Sequence, residues 1–258
     1  MLWNASAING HAIIAKDGRL GTVSDFLFDD VSWRIRWLVV DTGAWLPGRK
    51  VLLAPAAMGH VDPKEQTFSV ELTMQQVKNS PGIDTDRPVS RQIETDIYDY
   101  YGWSPYWGNG LFTDGYGYVG QAQAVSQGSM LREATFRIIR SNEDDPHLRS
   151  IEAVTGYHIH AKDGEIGHVD DFLLEEEDWS IRYLIVDTNN WWFGKKVLIS
   201  PQSAREIDWA NRLVDLDIDR QRIKDSPTYD ASLTFHQADD ETFLTYYGIK
   251  WIKHDRPL

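Results

Sequence analysis

The 258-residue sequence has no cysteine, which excludes disulfide scaffolds, thiolate zinc sites and cysteine nucleophiles. It is also short of positive charge: 26 Lys and Arg stand against 39 Asp and Glu, a net charge of −13. Phosphate backbones and anionic lipid surfaces are held mainly through Lys and Arg, so neither nucleic acid nor a membrane surface is an expected partner. No apolar run reaches the ~18–20 residues of a membrane-spanning helix. The opening Met1-Leu2-Trp3-Asn4-Ala5-Ser6 lacks the basic and apolar regions of a signal peptide. Together these absences predict a soluble, acidic, cytoplasmic protein. What is present suffices for a core, since 42% of residues are apolar and 25% charged. The length fits one or two domains.

The chain repeats itself. Ala15-Lys16-Asp17-Gly18 returns as Ala161-Lys162-Asp163-Gly164, 146 positions on. Leu38-Val39-Val40-Asp41-Thr42 returns as Leu184-Ile185-Val186-Asp187-Thr188 at the same offset, and Gly48-Arg49-Lys50-Val51-Leu52 as Gly194-Lys195-Lys196-Val197-Leu198. The register holds without insertion from Leu2/Leu148 to Gly102/Gly248. Two copies of a unit this long describe a duplicated domain, not a solenoid. We divide the chain into residues 1–102, a linker 103–147, and residues 148–258.

Each copy reads mainly as strand. Asp17-Gly18 between the alternating runs His11 to Lys16 and Leu20 to Phe28 predicts a hairpin. Ile35 to Asp41 is a short β-branched run of the buried-strand kind, and Lys50 to Leu53 stops at Pro55. Phe68 to Leu72 and Val214 to Asp219 alternate with period two. Ile93, Ile97, Tyr100 and Tyr101 lie at helical spacing after Ser90, with Gly102 at the C′ position; Phe243, Tyr246, Tyr247 and Gly248 repeat the pattern. So many short strands must close or curl to avoid bare edges, which predicts a small barrel closed by a short C-terminal helix. The expected core is Val23, Phe26, Leu38, Val40, Val51 and their counterparts 146 later.

The hairpin AKDG-xx-G-x-V-x-D-F-L, the strand LVVDT, then GxKVL-x-x-P and a terminal KxSP resemble PRC-barrel domains, in family order and twice over. That family takes its name from the cytoplasmic part of the photosynthetic reaction centre H subunit, and also supplies the C-terminal domain of a ribosome maturation factor. Asp145 to Ser150, TGYHIHAKDGEIGHVDDFL and DTNNWWFGKKVL look especially like the tandem PRC-barrel proteins of bacteria. The resemblance implies a mainly β fold of two small barrels used for protein interaction, with no catalytic residue set. Neither the H subunit's membrane helix nor the ribosome factor's N-terminal domain is expected from this sequence.

Other constellations read as structure. Gly115-Tyr116-Gly117-Tyr118-Val119-Gly120 matches a dinucleotide fingerprint but has no strand before it, so it reads as loop. Asp215-Leu216-Asp217-Ile218-Asp219 starts like a calcium loop, yet Arg220 and Ser226 stand where Gly and Glu are needed. It reads as a strand with one acidic face. A three-residue loop Lys162-Asp163-Gly164 would put His158 opposite His168, with His160 on the same face. Three imidazoles are a possible zinc set. The first copy has Ala12, Ile14 and Thr22 there, so the fold needs no metal, and we read an exposed or hydrogen-bonded cluster. Asp41 and Asp187 are expected to cap the following turn or pair with lysine, and Glu175-Glu176-Glu177-Asp178 to form a solvated turn. Trp33/Trp179 and Trp45/Trp191 recur and read as structural, whereas Trp251 lies beyond the second repeat.

Between the copies, Trp103, Tyr106, Trp107, Phe112, Tyr116 and Tyr118 lie in a stretch whose one charged residue is Asp114. A solvated linker would be polar, so these rings are the expected interaction residues, against the cleft between copies, a second chain in a homodimer, or a partner. The expected function is a non-catalytic interaction scaffold without cofactor. Its alternatives are an H-subunit-like accessory of photosynthetic or respiratory electron-transfer complexes, or a ribosome-assembly factor that binds a ribosomal protein.

Overall fold

The computed structural model describes residues 1–81, 91–103, 147–188, 195–227, 229 and 246. The first half runs β1 (Leu2–Asn4), α1 (Ala5–Ile8), β2 (Ala12–Ala15), β3 (Gly18–Asp29), β4 (Arg34–Asp41), β5 (Lys50–Leu53), β6 (Met58–Asp62), β7 (Thr67–Val70), α2 (Met74–Asn79) and α3 (Arg91–Tyr101). The second half runs β8 (Leu148–Ser150), α4 (Ile151–Val154), β9 (His158–Ala161), β10 (Gly164–Glu175), β11 (Ser180–Asp187), β12 (Lys196–Ile199), β13 (Ala204–Asp208), β14 (Leu213–Leu216) and α5 (Arg220–Lys224). From β1 to β7 every strand recurs 146 residues later with the same bounds. The sequence repeat is therefore a structural repeat.

Local chemistry sets these elements. Ala15 pairs with Gly18, so the first hairpin turns on Lys16-Asp17 alone. Asp17 then accepts the backbone N–H of Met74 at 2.7 Å, and Asp163 that of Arg220 at 2.8 Å, fixing the starts of α2 and α5. α2 carries a capping box, Thr73 with Gln76. α3 ends at Gly102, whose φ of +69° suits glycine at C′.

The sheet runs β13-β14-β9-β10-β11-β4-β3-β2-β7-β6, with β12 on β11 and β5 on β4. It passes continuously through both halves, which corrects the expectation of two separate closed barrels. The joint is short. Ser180 opposes Arg34, and Ile35 N–H donates to Trp179 C=O while Ile181 N–H donates to Trp33 C=O, each at 2.8 Å. These reciprocal bonds mark a pseudo-twofold axis.

The halves also exchange their first strands. β1 lies antiparallel to β10 with Leu2 opposite Glu175, and β8 lies antiparallel to β3 with Leu148 opposite Asp29. β3 and β10 are twelve residues long and their hairpin partners four, so half of each long strand would otherwise present a bare edge. One apolar core accordingly contains side chains from both halves. All ten expected core residues are in it, from Val23, Phe26, Leu38, Val40 and Val51 to Val169, Phe172, Leu184, Val186 and Val197. A smaller cluster forms where α3 lays Ile97 and Tyr98 over Trp37, Val39, Leu52 and Ala54. Within it Trp37 Nε1 donates to the fully buried Glu94 at 2.6 Å.

Candidate functional site

The exchanged segments are held by two aspartates from the repeated Asp-Phe-Leu motif. Asp25 accepts from Ser150 Oγ at 2.5 Å and Glu152 N–H at 3.1 Å, across the halves. Its counterpart Asp171 accepts from Ser6 Oγ at 2.5 Å, Ser6 N–H at 3.1 Å and Asn4 Nδ2 at 3.1 Å. Burial pushes the Asp25 carboxyl up, against the lowering by these hydrogen bonds. The sequence shows both aspartates as part of a repeated motif but not their role, because a strand residue bonded to a distant helical turn leaves no local pattern.

Residues 176–178 of the acidic run form the expected turn, but with only Glu177 exposed the run is a seam between the halves, not a solvated turn. Glu176 accepts from Trp3 Nε1 at 3.0 Å and Val61 N–H at 3.2 Å, and pairs with His60 Nδ1 at 2.6 Å. Asp178 pairs with Arg34 at 3.0 Å. Burial opposes ionisation of Glu176, but these three donors outweigh it and hold the carboxyl below its usual range. A lowered folded-state value means that Glu176 stabilises the fold above the ordinary carboxylate value of about 4.3 and ceases to do so as pH falls through the lowered value. Glu176→Gln should therefore be less stable than wild type at neutral pH. The difference should shrink on acidification below about pH 4.3, as read by urea melts across the pH range.

The pseudo-equivalent seam is built differently and stands open. Asp30, Arg149 and Glu206 replace Glu176, Trp3 and His60 there. Asp30, one methylene shorter than Glu176, is drawn to His147 at 2.9 Å and Arg149 at 2.5 Å. The result is a cleft of about 650 Å³ between the turn at Asp30–Arg34 and β13, lined also by Arg149, Ile181 and Arg205. Val31 on its wall is 71% exposed; nearby Trp209 is 39% exposed, with the Arg149 guanidinium 4.4 Å from its ring centroid.

The expected site residues fare unevenly. His158 does oppose His168, but through a two-residue turn and a bulge, so that His160 faces Glu165 instead of Ile166. His158 Nδ1 pairs with Glu165 at 2.8 Å, and His160 Nδ1 lies 3.9 Å from Asp215. Among the described residues no three His, Asp or Glu side chains gather as a metal site. Trp103 is half-buried and stacks on Tyr101, centroids 4.2 Å apart. Tyr106, Trp107, Phe112, Tyr116 and Tyr118 lie outside the described residues, as do Trp191 and Trp251. Asp41 accepts the Gly43 N–H at 2.8 Å, the expected turn cap, and Lys196 pairs with Asp170 at 2.6 Å. Asp217 pairs with Lys162 at 2.9 Å, in keeping with a solvated acidic face.

Among the described residues no helix is long and apolar enough to cross a membrane. The fold is mainly β, with exchanged strands and a cleft between the halves. Residues 159–223 match the PRC-barrel domain family, whose domains serve in general as protein-interaction modules. An uncharacterized protein of Deinococcus radiodurans is 35% identical over 79 residues, covering 30% of this chain and 28% of that relative's length.

Proposed function

We propose that this chain is a non-catalytic, cofactor-free protein-interaction scaffold of the cytoplasm, made of two PRC-type units fused through exchanged strands. The supporting observation is the asymmetry of the two seams. Glu176, Trp3 and His60 fill one, whereas the equivalent cleft beside β13 is open and lined by apolar and charged groups together. Interfaces combine these features: aromatic and aliphatic anchors set among charges. The test is affinity purification with the full chain as bait, beside a Val31→Arg variant of unchanged thermal midpoint. A partner held by wild type and lost by the variant supports the reading. A wild-type bait that enriches nothing, or turnover of a small molecule by the purified chain, would overturn it.

A further inference from the structure

Resting on that reading, we infer that the open cleft takes an extended segment of a partner protein, added as a strand to β13 and alternating cationic with apolar residues. Among the described residues β13 and β6 are the two ends of the sheet path. In the first half Ala12 N–H donates to Gln66 C=O, and in the second His158 N–H donates to Arg212 C=O. By alternation along β7 and β14, Phe68 and Val214 then turn their own backbone groups toward β2 and β9. Their antiparallel partners Val61 and Ile207 must therefore face outward. Val61 shows this directly, since its N–H donates to Glu176. Among the described residues nothing equivalent reaches Ile207, since Asp30 is held by His147 and Arg149. The edge beside the cleft thus presents a backbone donor and acceptor of the spacing that an added strand requires. The chain already uses this mode internally, where β1 and β8 add as three-residue strands to β10 and β3.

The chemistry of the occupant follows from the walls. Glu206, next to Ile207, makes no hydrogen bond or ion pair with its side chain among the described residues. The other two acids of the cleft are neutralised, Asp30 by Arg149 and Asp178 by Arg34, and Arg205, which precedes Glu206, lends its charge to Asp217. One carboxylate at the edge, within a chain of net charge −13, favours a cationic side chain opposite it. Val31 and Trp209 supply apolar contact for the alternate residues.

The probe is a short capped peptide alternating lysine and valine, titrated into the full chain and followed by backbone and indole N–H resonances. Saturable shifts should centre on Ile207 and the Trp209 indole. Methylating the edge-facing amides of the peptide should weaken binding by at least about tenfold, as a lost backbone bond at an unpaired edge does. Glu206→Lys should do the same while leaving the thermal midpoint in place. Absence of saturable binding, equal binding of the methylated peptide, or shifts away from β13 would overturn the inference. So would a doubling of solution mass abolished by Glu206→Lys, which would assign the edge to a second copy. Partners that survive Glu206→Lys but are lost with Val31→Arg would sink strand addition and leave the scaffold reading intact.

Discussion

Trp179→Ala should lower folding stability by about 3–5 kcal/mol, the range for deleting a buried tryptophan side chain. The ring is 3% exposed and belongs to the second half, yet it packs on the first half's Phe26 and Phe68 at centroid separations of 6.1 and 5.2 Å. Its C=O also accepts the Ile35 N–H across the joint. The loss should therefore appear as one cooperative transition at lower urea, not as early melting of the second half alone. A second substitution isolates the backbone. Trp179 holds φ at +53°, where a side chain costs about 1–2 kcal/mol and glycine almost nothing. Trp179→Gly should consequently match or exceed Trp179→Ala in stability, the reverse of the usual order. Chemical denaturation of both variants checks the pair. A glycine variant clearly weaker than the alanine variant would contradict the left-handed turn.

Gly167→Ala should also be severely destabilising, at the upper end of the about 1–3 kcal/mol that overpacking costs or beyond it. A Cβ there would lie 2.0 Å from the backbone oxygen of Asp187, and its counterpart at Gly21 2.0 Å from that of Asp41. Backbone in a paired strand cannot rotate away as a side-chain tip can. Gly156 provides the control. It has φ +86° but open space around a Cβ, so Gly156→Ala should lose only the conformational cost of about 1–2 kcal/mol. Thermal melts of the two variants should separate clearly. Equal midpoints would show that close approach is not what fixes the second glycine of the AKDG-xx-G pattern.

Local order was legible in the sequence, and partnership was not. The Asp-Gly hairpin, the run ending at Asp41, the strand before Pro55 and the Ile93–Tyr101 helix all carry their own periodicity or punctuation, and each forms close to its expected bounds. The buried set could be listed because strand alternation assigns faces directly. β1 and β8 escaped because three residues cannot establish a period, and because Leu2–Asn4 and Leu148–Ser150 fit either long strand equally well by pattern. β6 and β13 escaped because Gly59-His60 and Arg205-Glu206 interrupt the alternation. Glu176 looked like one acid in a solvated run; its donors are Trp3, His60 and Val61, more than a hundred residues away. The open cleft arises from the same kind of pairing, since Glu206 matters only because His60 occupies the matching place in the other seam.

The central claim is reciprocal exchange of the first strands, and the lack of native cysteine makes it directly measurable. In the exchanged fold Leu2 stands opposite Glu175. In an unexchanged fold it would take the place of Leu148 and stand opposite Asp29. Facing residues of antiparallel strands lie about 4.5–5.5 Å apart at Cα, within the range of a disulfide. Two double variants of the full chain, Leu2→Cys/Glu175→Cys and Leu2→Cys/Asp29→Cys, are oxidised while folded, and intramolecular cross-links are counted by peptide mass mapping. The account predicts near-complete cross-linking of the first pair and little of the second. Efficient closure of Leu2→Cys/Asp29→Cys, with Leu2→Cys/Glu175→Cys left reduced, would contradict it.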